Sequence, residues 1–523
     1  MNSLFKRQLD TVKVTIDNIK PVRMEENFGF FPPLLLLIFI FFYGMLSNRF
    51  FLIDHYSPDS YDCLFNQNSS VGQFSSMGRP ITMLLVCMLN YIGINLVKSQ
   101  FYFTVFSIFI LSLSAYLLVG TALSCKKDIS IYNIALFTVA ALLIIYNLFA
   151  VELFTFSFIL PFSSLAILLV VLSSCILTLD FSIKNIILSV ILLTASLFLY
   201  QSWGALFIPL TLTFIFCSKN KYSNKELTVI NIVLFSVYIL SAFINFVYIK
   251  LVHPYFYSFT DPRTLKIDLL TNILSILDVQ KTVWIKQFSL MSDYTFIIYI
   301  FLSLSLFFVF RKSISLNLSR VYLIVLNILF TLIFITYLPH LFTSAVWIVP
   351  RAVLAIGSIP GILFLCLSLI IPFRNQNFEN YHKIILIMII FSYAFIIYTS
   401  TNQIAIDHLS TNNRDHKEAS WIISEITSRE NESGVRVSKV AFVFDDYPVW
   451  AYDGIRAYGD MNVRALTKPW AQIPLLEFVS GRKFIPVDMN LNVYDKYFKG
   501  KNWNHLDSEQ IVVVNDVAYI AIY

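Results

Sequence analysis

Apolar residues in this chain come in long runs, and no other feature limits its folding so severely. A helix rises about 1.5 Å per residue, so about 20 apolar residues cross the roughly 30 Å hydrocarbon core of a bilayer. By that rule eleven segments read as spans: 28–47, 101–123, 131–150, 161–180, 186–202, 204–217, 227–249, 294–310, 321–338, 352–372 and 384–400. Hydrophobic residues make up 57% of the chain and charged residues 13%, against about 25% charged in an average soluble protein. Fifty Phe, 28 Tyr and a mean hydropathy of +0.71 leave more apolar surface than a core can hide. A soluble globule is excluded, and the fold class is an all-α polytopic membrane protein.

Loop charges set the expected orientation. Residues 1–27 carry Lys6, Arg7, Lys13, Lys20 and Arg23 without a long apolar stretch, and so read as a cytoplasmic leader and not a removable signal peptide. With that end inside, sixteen Lys and Arg gather on the cytoplasmic side of the spans, against nine on the other, the long tail aside. Residues 81–97 tempt a twelfth span, but counting it would place Lys126 and Lys127 outside, so they read as an interfacial or re-entrant helix. Residues 186–217 are too long for one span, and the break at Tyr200–Gly204 favours a helical hairpin.

Residues 28–400 then form the spanning region, with outside loops at 48–100 and 250–293, and 401–523 form a small α/β domain outside the membrane. In that tail, 414–432 has the apolar stripe of an amphipathic helix, 435–444 alternates as a strand does, and Asn515-Asp516 between two β-rich runs signals a hairpin. The net charge of +6 comes with no basic tract of the kind nucleic acid needs. The six cysteines are scattered, with neither disulfide nor metal-ligand spacing.

The first outside loop holds the best chemistry. It places Asp54, Asp59 and Asp62 just beyond the first span and ends at Arg79. Carboxylates can deprotonate a hydroxyl or bind a metal, and an arginine at a membrane surface can grip a phosphate in two-pronged fashion. Ordinary capping aspartates in a solvated loop are the competing account. Asp59, after Pro58, is the strongest of the three. Arg351 at the outer start of a span is a second phosphate candidate or a snorkelling side chain. Glu152, in an apolar setting, either lines a site or is held by a partner such as Lys98. Tyr200 and Gln201 sit at the hairpin tip, where Gln201 bonds sugar hydroxyls or merely caps the break. The loop 250–293 reads as a helix on the membrane surface. Asp445-Asp446-Tyr447, Trp450, Tyr452 and Trp470 are either an aromatic sugar-binding face or ordinary core and turn residues.

The sequences SPDSY (Ser57 to Tyr61), MGRP (Met77 to Pro80) and YQ (Tyr200, Gln201), set in this order of spans and outside segments, resemble the GT-C class of polyprenyl-phosphate-sugar glycosyltransferases. Within it they look most like the bacterial serotype-converting O-antigen glucosyltransferases, the type II Gtr family. Relatives often carry adjacent aspartates where this chain has Asp54-His55 and an isolated Asp59. The resemblance implies an inner-membrane enzyme that transfers glucose, or another hexose, from undecaprenyl-phosphate-sugar to O-antigen or a related polysaccharide at the periplasmic face, with inversion. It implies partners that make and flip the lipid-linked glucose, and leaves open whether a divalent metal assists. On that reading Asp59 is the base, Asp54 and Asp62 orient it or bind sugar, and Arg79 and Arg351 face the phosphate. A flippase of lipid-linked sugars and an O-antigen polymerase share the many spans and are the rival readings.

Overall fold

The computed structural model describes residues 33–65, 69–126, 130–217, 224–256, 268–309, 318–342, 346–370, 380–445, 447–503 and 505–523. The expected leader, 1–27, lies outside them, as do Asp261, Arg263 and Lys266 of the second outside loop. Four described helices are long and apolar enough to cross a bilayer: Gln100–Ser124, Leu160–Leu179, Lys225–Phe256 and Ile384–Ser433. Ile131–Ile145 and Leu148–Thr155, bent by 43° at their junction, make a fifth if they count as one. The remaining expected positions carry shorter apolar helices, Leu34–Ser47, Ile183–Leu199, Gln201–Phe216, Thr295–Phe307, Val325–Leu341 and Ile359–Ile370. The protein is thus a helical membrane protein, but helix length alone supports four or five spans and not the expected eleven. Pro80–Tyr91 is a separate helix of 12 residues; at about 18 Å it is too short to span.

Small residues let the helices close on one another where no hydrophobic effect drives them together. Gly361 is one such position: a Cβ there would meet the backbone of Leu143 and Ile144 at 2.8–2.9 Å, so only glycine allows Ile359–Ile370 to lie against Ile131–Ile145. Ser358 Oγ ties the same pair by donating to the Ile144 carbonyl at 2.8 Å. The expected break after Leu199 is present at Tyr200, and both arms lie against Leu160–Leu179. Ser196 Oγ donates to the Ala166 carbonyl, 2.9 Å, and Trp203 Nε1 to Ser163 Oγ, 2.8 Å. In the segment expected as the second outside loop the longest described helix is Leu269–Trp284, capped by Asp268, which accepts from the Thr271 amide at 3.1 Å.

No break marks residue 400, where the sequence changes character. One helix, Asn380–Ser433, carries the chain for 54 residues, about 80 Å. Its far half is the expected amphipathic segment. Ala419, Ile422 and Ile426 are buried there against a four-stranded sheet in the order β2-β1-β4-β3. The strands are β1 (Lys439–Phe444), β2 (Ile485–Pro486), β3 (Ile511–Val514) and β4 (Val517–Ile522). β1 runs parallel to β4, and β3 and β4 form the expected hairpin, pairing Val514 with Val517 around Asn515 in the left-handed region (φ 55°).

The segment expected as the first outside loop packs into this tail. Tyr61 is fully buried in the tail's core, and its hydroxyl bonds His416 at 3.0 Å. The Asn412 side chain accepts from the Tyr56 amide and donates to the Tyr56 carbonyl, both at 2.7 Å. Helix Pro58–Phe65 lies on helix Pro469–Ser480.

Candidate active site

Each wall of the site begins as a local interruption of helix. After Ile145 the chain bends, and Asn147 caps the new start by accepting from the amides of Phe149, 3.0 Å, and Ala150, 3.2 Å. The short helix Val151–Thr155 that follows buries Glu152 completely. Opposite, Val349 is extended and Pro350 opens one turn of 3-10 helix bearing Arg351. The Arg351 amide donates to Glu152 Oε2 at 2.7 Å and its guanidinium forms an ion pair with Oε1. Aromatic rings cover the guanidinium, Phe156 at 4.1 Å and Trp347 at 4.9 Å. The partner of Glu152 is therefore Arg351 and not Lys98, which is exposed. Arg351, 8% exposed, does not snorkel.

Asp59, half-buried at the start of helix Pro58–Phe65, stands in the field of Arg351. Trp470 Nε1 donates to its Oδ1 at 2.9 Å. Asp460 completes the group, reaching Arg351 at 3.5 Å and Lys468 Nζ at 2.7 Å. Burial pushes the Asp59 pKa up, Arg351 opposes this, Asp460 adds to it, and Trp470 and Lys468 pull it down; the net direction is upward. A carboxylate so placed is a better proton acceptor than one in water, since a base works best with a pKa near the working pH.

The second wing is built from two motifs that lie over a hundred residues apart in the sequence. Gly78 has φ +75°, and a Cβ on it would meet Ile249 at 2.6 Å and Asn245 at 3.0 Å, so the turn needs glycine. Gln201 Nε2 donates to the carbonyls of Met77, 2.6 Å, and Gly78, 3.3 Å, while its Oε1 accepts from Arg79 Nε at 2.9 Å. The Arg79 guanidinium lies 4.5 Å from the Tyr200 ring centroid. Tyr200 also feels Arg351 and Glu152, and its hydroxyl donates to the Arg351 carbonyl at 3.5 Å. Gln201 is thus neither a free sugar ligand nor a simple cap; it holds the turn that aims Arg79.

Over residues 49–368, more than half of the chain, the sequence matches the family of glucosyl transferase GtrII. The chain belongs to that family. No curated protein matches it. The GtrII stretch contains Asp59, Arg79, Glu152, Tyr200, Gln201 and Arg351, which the fold gathers, and ends before Asp460, Lys468 and Trp470, which complete the group.

The other expected residues of the GtrII chain fall in different places. Asp54 is exposed and accepts from Gln100 at 3.2 Å. Asp62 is half-buried one turn after Asp59. The aromatic face of the tail divides. Tyr452 turns inward to Asp415 at 3.0 Å, Trp470 joins the site, and Tyr447 and Trp450 stay exposed. Asp445 accepts from the amides of Tyr447, 3.0 Å, and Trp503, 3.2 Å, which is turn chemistry, and Asp446 lies outside the described residues. Among the described residues no three His, Cys, Asp or Glu side chains are placed to share a metal ion. Sequence reading missed Asp460 and Lys468 as site residues, because charged residues are ordinary in a stretch expected to face water. The GDM step at Gly459-Asp460-Met461, where Gly459 takes φ +60° against Val349, is the only local sign.

Proposed function

We propose that this GtrII protein transfers glucose, or another hexose, from undecaprenyl-phosphate-sugar to O-antigen or a related surface polysaccharide at the periplasmic face of the bacterial inner membrane. Eleven spans with the N-terminus cytoplasmic and the tail periplasmic are the topology that the loop charges favour. A lipid-linked glucose synthase and a flippase would supply the donor.

The observation that carries the reading is the convergence of the first-loop carboxylate, Asp59, with the buried pair Arg351 and Glu152 in one cluster. Asp59 accepts the proton of the acceptor hydroxyl. The hydroxyl oxygen attacks the anomeric carbon from the side opposite the phosphate, so the centre inverts. Arg351 is fixed by Glu152 and by two rings, and so presents its charge without reorganising, which is how preorganised cations stabilise a leaving group best. Arg79, aimed by Gln201, is the second cation, and Asp54 and Asp62 are left to the approach of sugar.

The test is expression in a smooth O-antigen-bearing host with a source of undecaprenyl-phosphate-glucose, and mass analysis of the released polysaccharide. Wild type should add one hexose per repeat and Asp59→Asn should not. Full transfer by Asp59→Asn overturns Asp59 as the base. No mass change in correctly inserted wild type moves the reading to a flippase or polymerase.

A further inference from the structure

The cations of the cluster are not equally available. Arg351 is held by Glu152 at both its amide and its guanidinium, and rings lie against it. Lys468 is bound differently. Its ion-pair partner, Asp460, is shared, close to Lys468 at 2.7 Å and long to Arg351 at 3.5 Å. Asp460 can therefore close fully on Arg351 and leave Lys468 to another anion without becoming an unpaired carboxylate. Lys468 is also placed beside the base: it and Asp460 both act on Asp59, and Trp470, two residues on, holds Asp59 directly. Packing fixes this arrangement. Tyr458 stacks edge-on against Phe288 at 4.8 Å, the Arg456 guanidinium donates to the Leu290 carbonyl at 3.2 Å, and helix Pro469–Ser480 lies on Pro58–Phe65.

We propose that Lys468, supplied by the tail beyond the GtrII stretch, is a catalytic residue that binds the donor phosphate in exchange for Asp460. This rests on the transferase reading above. In the step, the acceptor O–H bond breaks and its proton goes to Asp59. The acceptor oxygen bonds to the anomeric carbon, and the bond from that carbon to the phosphate oxygen breaks with its electron pair. The phosphate goes from one negative charge to two as Asp59 goes from one to none. Negative charge therefore moves from Asp59 to the phosphate; Arg351 and Lys468 both act on Asp59, and Lys468 is the one whose ion-pair partner has another cation to turn to. Arg351 remains the fixed charge of the site and Lys468 the mobile one.

Equilibrium binding of undecaprenyl phosphate and of uncharged undecaprenol to the full chain in nanodiscs of neutral lipid tests this. Wild type should prefer the phosphate, and Lys468→Ala should weaken phosphate binding by about tenfold or more, the weight of one charge-assisted contact, with undecaprenol unaffected. Lys468→Arg should keep the phosphate within about threefold, and Asp460→Asn, which frees Lys468, should bind it more tightly. Unchanged binding by Lys468→Ala overturns the proposal, as does equal weakening by Lys468→Ala and Asp460→Asn, which would make the ion pair a brace. If Lys468→Ala fails to fold, Asp460→Asn decides alone: tighter binding supports the exchange, and unchanged or weaker binding overturns it. Wild type that shows no preference for the phosphate removes the transferase reading itself, and the proposal with it.

Discussion

Two buried arginines hold this molecule together in different ways. Arg464, in the tail, is fully buried, paired with Glu418 at 2.9 Å, bonded to the Val449 carbonyl at 2.8 Å, and stacked over the Tyr523 ring at 4.0 Å. Those partners belong to the tail. Arg351 is nearly as buried, but its partners come from three distant stretches, Glu152, Asp460 and the field of Asp59, and one of them is only half engaged at 3.5 Å. The lesson is that burial of a charge does not mark a site. Arg464 too has two carboxylates near it, Glu418 and Asp415; what marks Arg351 is that one of its carboxylates, Asp460, is shared with a second cation, Lys468.

This contrast can be broken by experiment. Asp59→Asn should show the largest effect, a fall in hexose transfer of about 10²- to 10⁴-fold, as expected for loss of a general base, with thermal unfolding near that of wild type. Next come the pairs. Removing one partner of a buried ion pair costs about 3–5 kcal/mol, whereas replacing both by apolar residues is often neutral. The single change Arg464→Met should therefore lower the unfolding temperature sharply, and the double change Glu418→Leu with Arg464→Met should restore it and retain transfer. Glu152→Leu with Arg351→Met should also restore folding but leave transfer abolished. If both double variants kept transfer, or both lost it while folded, the distinction between the arginines would fall.

Smaller effects sharpen it. Gln201→Ala removes the bond that aims Arg79 and should reduce transfer about tenfold, in line with one hydrogen bond to a charged group; the same loss in an Arg79→Ala background would show that Gln201 acts otherwise. Asp59 must be ionised to accept a proton, and its pKa lies above the ordinary carboxylate range. Transfer should therefore decline on acidification at a pH above about 4. Asp460→Asn removes a charge that raises this pKa, so the acid limb should move to lower pH; a limb that stays put would separate Asp460 from Asp59.

The tail offers the mildest case. Burial, and then Glu418, push Asp415 up to about 8. A carboxyl whose folded pKa exceeds its unfolded value of about 3.9 keeps its proton in the fold, so its contribution is full below about pH 4 and is lost as pH rises towards 8. Asp415→Asn, which can still accept from Tyr452 and the Ala465 amide, should flatten the dependence of unfolding temperature on pH across that window. An unchanged slope would assign the dependence to other groups.

Part of the candidate site was legible in advance. Asp59, Arg79, Glu152, Tyr200, Gln201 and Arg351 stand out because a charge or a polar break beside an apolar run is costly, and so conspicuous. Their roles were less legible. Glu152 turned out to face Arg351, 199 residues away, and Gln201 to grip the Met77–Arg79 turn, because which helix ends meet depends on packing. Lys468 and Asp460 gave little warning. In a tail meant for water a lysine and an aspartate cost nothing, and only the docking of that tail on the first loop makes them part of a site.

Sequence alone was enough to make this chain a helical membrane protein, because hydropathy is summed over each segment and needs no knowledge of neighbours; the GtrII kinship came instead from short motifs and the match over residues 49–368. Sequence alone also gave the helix break at Tyr200, a strand over 435–444, of which 439–444 forms, and the hairpin at Asn515, since local backbone chemistry decides these. Tertiary structure alone decided that helix Asn380–Ser433 runs unbroken from apolar to charged surroundings. It alone brought Asp460, Lys468 and Trp470 to Asp59. The reason is physical: helix formation is set by residues a few positions apart, whereas the balance of charge in a buried cluster is set by whichever distant segments pack against it.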